Sequence, residues 1–247
     1  MILITLVIII SQITFVILTK KNNVFTTGEI KMKKTILLLN IILALGILSG
    51  CNNESGCNNE KENYDPGDYH DNIIKFNIEP NKKALIMGDS ITDDRAYKKD
   101  WPKWFAEETG IEVTNVAVSG SVYDLYRDNV DTLNLDDYDY FFLMGGTNNI
   151  YLGIPLSKSI SDLEYVCKKL KGKKVVLTNP FAWNSTVLMP AEDAIAFRNR
   201  IYENAIKYDF TFINASKFVY ERRDSIHPTE VGCKNISDEM MKALNLK

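Results

Sequence analysis

The stretch that most constrains this chain is Lys83-Ala84-Leu85-Ile86-Met87-Gly88-Asp89-Ser90-Ile91-Thr92, where a short apolar run stops abruptly at Gly-Asp-Ser. An apolar run of this length, bounded by polar residues, reads as a strand buried on both faces, the kind found in parallel sheets. Gly88 has backbone freedom closed to other residues, so a sharp turn is expected there. A serine just past that turn sits at the carboxyl end of a strand, the edge at which open α/β sheets bind their ligands. A serine hydroxyl is a weak nucleophile on its own, and chemistry at Ser90 requires a base from elsewhere in the chain.

The choice of base is narrow. The chain has 2 histidines, His70 and His227. His70 lies in a polar stretch, Asn63 to Asp71, that has turn residues and no periodicity. His227 lies in Arg223-Asp224-Ser225-Ile226-His227-Pro228, with an aspartate three residues before it. Nucleophile, base and a carboxylate that orients the base make a triad, and Ser90, His227 and Asp224 fill these roles in the chain order Ser, Asp, His. A loop histidine before a helix opening at Pro228 is also a common structural feature, so the pairing of the two stretches carries the argument. Asp89 is the adjacent rival to Asp224. Neighbouring side chains point apart, and its expected role is to bond backbone in the turn, with Thr92 and Arg95 shaping the same loop.

The rest of the domain reads as alternating strands and helices. Strands are expected at Ala84–Met87, Ile111–Val116, Tyr138–Met144, Val175–Thr178 and Thr211–Ile213. Helices are expected from about Pro102 to Thr109, Val122 to Asp128, and Thr229 to Leu244, with two more marked by the apolar faces Ile160, Leu163, Cys167, Leu170 and Ala194, Phe197, Ile201, Ala205. This alternation predicts an α/β domain with a parallel sheet covered on both sides. No internal repeat or second domain is evident.

Four short blocks, in order, resemble those of the SGNH (GDSL-type) hydrolase family: Gly88-Asp89-Ser90-Ile91-Thr92, Asn115-Val116-Ala117-Val118-Ser119-Gly120-Ser121, Met144-Gly145-Gly146-Thr147-Asn148-Asn149 and Asp224-Ser225-Ile226-His227-Pro228. The resemblance covers roughly Lys82 to the C-terminus. Where the family usually has Asp after the third-block asparagine, this chain has Asn149. The resemblance implies a three-layer α/β/α sandwich with a flavodoxin-like parallel sheet. It also implies an oxyanion hole built from the backbone N–H groups of Ser90 and Gly120 and the side-chain amide of Asn148. The implied activity is ester hydrolysis through an acyl-enzyme, with a small-molecule or glycan ester as substrate. An acyltransferase of the same fold and a non-enzymatic glycan-binding surface lipoprotein are the alternatives. The stretch Asn179 to Pro190 is an expected pocket wall, in which Phe181 and Trp183 either stack on a sugar, flank an acyl chain, or pack beneath the loop.

Net charge is −3 and there is no long basic block, so nucleic-acid binding has no electrostatic support. No paired Cys/His spacing suggests a metal, and no cofactor is implied. The N-terminal 50 residues read as an apolar leader. Lys31-Met32-Lys33-Lys34 precedes an apolar core from Ile36 to Leu48, the pattern of a secretory signal peptide. It ends in Leu48-Ser49-Gly50-Cys51, which looks like a bacterial lipobox and implies lipidation of Cys51 and cleavage before it. The expected organisation is therefore an upstream apolar segment 1–31, either an extension or a transmembrane helix, a signal peptide 32–50, a lipidated, flexible tether 51–75 and a catalytic domain 76–247. The expected location is the bacterial cell surface or periplasm, anchored to the membrane. Cys57, Cys167 and Cys233 suggest no disulfide framework.

Overall fold

The computed structural model of the chain describes residues 70–181 and 188–247. The leader, Cys51, most of the tether and Trp183 lie outside the described residues.

Strand residues alternate between two buried faces. Ala84, Ile86, Tyr140, Phe142, Met144, Val176 and Ile213 join one apolar cluster, while Leu85, Met87, Phe141, Leu143, Val175, Leu177 and Phe212 join another. Both faces of such strands must be covered, and five strands form a single parallel sheet between two helical layers. The strands are β1 (Lys83–Gly88), β2 (Glu112–Asn115), β3 (Tyr140–Met144), β4 (Lys174–Thr178) and β5 (Thr211–Ile213), arranged in the order β2-β1-β3-β4-β5. This is the expected flavodoxin-like, three-layer α/β/α sandwich. The strand order reverses between β1 and β3, and crevices at such points, outside the carboxyl ends of the strands, are where these sheets bind ligands.

One layer is α1 (Trp101–Thr109) with α6 (Glu230–Ala243), which pack on each other. The other contains α2 (Tyr123–Thr132), α4 (Leu156–Lys169) and α5 (Ala191–Tyr208). A short α3 (Thr147–Tyr151) follows β3 directly. Helix α1 begins with Asp100 accepting the Lys103 N–H and stops at Gly110, whose φ of 73° suits a glycine. Helix α2 runs one turn beyond the expected Asp128, because Tyr126 and Val130, four apart, are both buried on its inner face.

The folded part starts earlier than expected. Ile73 and Phe212 exchange backbone hydrogen bonds of 2.8 Å in an antiparallel bridge on the outer edge of β5. Asn72 Oδ1 accepts from the Asn214 N–H at 2.8 Å, and the His70 ring stacks on Tyr202 with centroids 3.7 Å apart. Residues 70–75 therefore belong to the domain rather than to a tether. Ile73, which with Ile74 follows a polar, turn-rich stretch, covers an edge strand that would otherwise present unpaired backbone groups.

Candidate active site

The first block forms a tight turn at the carboxyl end of β1. The Asp89 carbonyl accepts the N–H groups of Thr92 and Asp93 at 3.0 and 2.9 Å, and Asp89 Oδ1 accepts the Ile91 N–H at 3.1 Å. The Tyr97 hydroxyl donates to the Ser90 carbonyl at 3.0 Å from the outside of the turn. Gly88 is needed for space rather than for backbone conformation, which corrects the expectation. It continues the strand without positive φ, and a Cβ there would lie 2.4 Å from Thr92 Cβ. Thr92 cannot easily yield, since its hydroxyl accepts from Trp101 Nε1 at 3.1 Å in a fully buried position.

The fourth block is a closed loop in front of α6. Arg222 and Pro228 form an antiparallel bridge, the Arg223 N–H donates to the His227 carbonyl at 2.9 Å, and the Tyr220 hydroxyl donates to the Ile226 carbonyl at 2.7 Å. Asp224 organises this loop with both oxygens. Its Oδ1 accepts the N–H groups of Ile226 and His227 at 2.9 and 2.7 Å, and its Oδ2 lies 2.8 Å from His227 Nδ1. Burial pushes the Asp224 carboxyl up, but these two backbone donors and the imidazole outweigh it and hold the group at about 2. The charged carboxylate favours a proton on Nδ1, which leaves Nε2 as the acceptor. His227 Nε2 is 2.9 Å from Ser90 Oγ. Ser90, His227 and Asp224 thus lie in one hydrogen-bonded line.

The second and third blocks meet through Asn148 and Ser121, and the second also reaches Gly88 and Asp93 on either side of Ser90. The loop after β2 turns at Gly120, whose φ of 80° favours glycine and where a Cβ would meet nothing within 4 Å. Asn148 lies in the first turn of α3, and its Nδ2 donates to the Ser121 carbonyl at 3.0 Å, which leaves its second N–H unused by that bond. The backbone N–H groups of Ser90 and Gly120 have no acceptor among the described residues. Asn149 points away into the core. Its Nδ2 donates to Ser159 Oγ at 2.9 Å, which ties α3 to α4, while its Oδ1 is buried without a partner among the described residues.

Asp89 is 1% exposed and separate from the Ser90–His227–Asp224 line. Burial lifts its carboxyl to about 6, with the Ile91 N–H and the nearby His227 offsetting part of the effect. Phe181 is 2% exposed, its ring edge-on to Phe218 and Tyr220. Of the roles left open for it, the structure places Phe181 in the core and not against a substrate: its ring, just past β4, is drawn into the apolar cluster on that face of the sheet. Among the described residues, no group of three or more His, Cys, Asp or Glu could hold a metal ion.

Two contributors to the site were not singled out in the sequence. Ser121 Oγ donates to the Gly88 carbonyl at 2.8 Å. Asp93 accepts from the backbone N–H and the hydroxyl of Ser119 at 2.7 and 2.8 Å. Both are short polar residues in polar loops. Nothing in local pattern or spacing distinguishes them, and their importance depends on contacts between loops that follow different strands.

Several solved structures share this fold. Axe2, an acetylxylan esterase from Geobacillus stearothermophilus, superposes with a TM-score of 0.59 at 17% identity, covering 70% of this chain and 98% of its own. AlAXEase, an acetyl xylan esterase, gives 0.56 at 21% identity, with coverage of 65% and 98%. A protein from Desulfitobacterium hafniense DCB-2 assigned to the G-D-S-L family of lipolytic proteins gives 0.57 at 17% identity, with coverage of 66% and 99%. Comparison with curated proteins returned no match. Residues 86–234, more than half of the chain and inclusive of all four blocks, match the GDSL-like Lipase/Acylhydrolase family, and the chain belongs to that family.

Proposed function

We propose that this hydrolase removes a short acyl group, acetyl in the simplest case, from a carbohydrate or similar alcohol, using Ser90 as nucleophile. Its membership of an acylhydrolase family makes it an enzyme acting on ester bonds. The observation that carries the residue assignment is the continuous line from Ser90 Oγ through the His227 ring to Asp224, with spacings of 2.9 and 2.8 Å. Ser90 Oγ attacks the ester carbonyl carbon as its proton passes to His227 Nε2. The carbonyl oxygen becomes an anion that the N–H groups of Ser90 and Gly120 and the Asn148 amide can meet. His227 then protonates the departing alcohol, leaving an acyl group on Ser90. Water, deprotonated by the same ring, releases the acid and restores the serine. Asp224 keeps the ring in the required tautomer and stabilises its charged form.

The acetyl and carbohydrate parts of this reading are supported by the names of two similar folds, Axe2 and AlAXEase, both acetylxylan esterases. The test is a set of 4-nitrophenyl esters of increasing chain length beside acetylated xylan. Free acetate from xylan and a preference for the acetyl aryl ester are expected. A preference for long acyl chains would overturn the acetyl reading, and an acylated acceptor in place of free acid would point to transfer.

The placement of the enzyme belongs to the same proposal. The basic flank Lys33-Lys34 and the sequence Leu48-Ser49-Gly50-Cys51 support export and a lipid on Cys51, which would tether the domain to a bacterial membrane. Mass spectrometry of the mature protein is expected to show a lipidated N-terminal Cys51. A mature chain that retains Met32 to Gly50 would contradict it.

A further inference from the structure

We propose that Asp93 is a positioning residue that sets the direction of the Gly120 N–H relative to Ser90, by clamping the loop after β2 onto the turn after β1. The inference rests on the catalytic reading of Ser90 and Gly120 given above and goes beyond it. Val118, Ser119 and Gly120 are exposed, and no atom lies within 4 Å of a Cβ built at Gly120, so apolar packing does not hold this segment in place. Its orientation depends on polar ties. On the C-terminal side, Ser121 N–H donates to the Val118 carbonyl at 3.0 Å and Ser121 Oγ to the Gly88 carbonyl at 2.8 Å. On the N-terminal side the side-chain tie is Ser119, whose N–H and Oγ both donate to Asp93 Oδ2, at 2.7 and 2.8 Å. The Gly120 amide lies between these two anchors.

Asp93 is itself fixed to the nucleophile turn, because its N–H donates to the Asp89 carbonyl at 2.9 Å. Its side chain is 3% exposed and is gripped by Arg95, whose Nε reaches Oδ1 and whose Nη2 reaches Oδ2, each at 2.8 Å. Counting the Arg95 N–H on Oδ1, the carboxylate receives five donors. Only a group that accepts on both oxygens satisfies all of them. Asparagine has nearly the same shape but must turn its NH2 toward either Ser119 or Arg95. The Arg95 fork also keeps this carboxyl well below the usual carboxylate range, so it stays an acceptor across the working pH of an esterase.

The test compares wild type, Asp93→Ala, Asp93→Asn, Arg95→Ala and Ser90→Ala for hydrolysis of 4-nitrophenyl acetate, inhibition by phenylboronic acid and thermal melting. Phenylboronic acid forms a tetrahedral adduct with a serine nucleophile and so reports the oxyanion donors directly. With Asp93→Ala and Asp93→Asn, kcat should fall about 10- to 100-fold, less than the loss of a donor itself. KM should stay within about threefold, as expected when only transition-state stabilisation is removed. The boronate inhibition constant should rise in step with the fall in kcat. Arg95→Ala leaves the Asp93–Ser119 contact and should change kcat by about threefold or less. Should the alanine variant not fold, the near-isosteric asparagine variant decides the matter. A folded Asp93 variant with kcat within twofold of wild type would overturn the proposal, as would a loss confined to KM or one without a matching rise in the boronate constant. An active Ser90→Ala, or a wild type insensitive to the boronate, would instead refute the underlying assignment of Ser90.

Discussion

Ser90 Oγ and His227 Nε2 stand 2.9 Å apart although 137 positions separate them in the chain. The parallel sheet makes this possible: β1 delivers Ser90 to its carboxyl edge, and the loop before α6 returns His227 to the same edge. His227→Ala should lower kcat/KM by about 10⁴-fold or more, because the described site has no second base. Asp224→Asn should cost about 10²- to 10⁴-fold, as the ring loses the partner that sets its tautomer. These losses should not add in the double variant. Independent, multiplicative effects in steady-state assays would show that the two residues do not act as a unit.

Asn148→Ala should reduce kcat by about 10²- to 10³-fold while KM changes much less. The amide is held by the Ser121 carbonyl, so its remaining N–H is oriented before substrate arrives. Full turnover in this variant would remove Asn148 from the mechanism.

Asp89 makes stability depend on pH in a direction opposite to that of a salt-bridged carboxylate. Burial raises it from 3.8 to about 6. Between those values the folded chain keeps a proton that the unfolded chain has released, so the group's contribution is most favourable below about pH 4 and declines as pH rises through 6. Asp89→Asn resembles the protonated form. It should be more stable than wild type above pH 7, by an amount on the order of 3 kcal/mol, and the two should converge near pH 4. Urea midpoints at the two pH values measure this. Equal differences at both would show that Asp89 does not titrate in the native state. Esterase activity should survive the change far better than in the Ser90 or His227 variants.

Much of the fold was legible because β1, β3, β4 and β5 are short, mainly apolar runs that end in or are followed by Gly or Asn, and its long helices carry clear apolar faces. The Asp224–His227 pairing could be read because a three-residue spacing lets one turn join carboxylate and ring. Other features depend on tertiary contact. The bridge from Ile73 to β5 starts the domain at a point where the sequence looks like linker. Helix α3 is short and follows two glycines, so its periodicity is too brief to detect. Phe181 gave the same aromatic signal whether in a pocket or in the core, and only its packing on Phe218 and Tyr220 separates the two. The Asp93–Ser119 tie joins loops 26 positions apart and has no local signature.

Whether Ser90 is the nucleophile is decided by hydrolysis of 4-nitrophenyl acetate by purified Ser90→Ala, with circular dichroism to establish that the variant is folded. The hydroxyl sits half-buried at a turn and contributes little to the core, so the variant should keep the wild-type spectrum. Its rate should fall to that of buffer alone or within the small residue left by substrate binding and the oxyanion donors. A folded Ser90→Ala variant that hydrolyses the ester at the wild-type rate would show that Ser90 is not the nucleophile.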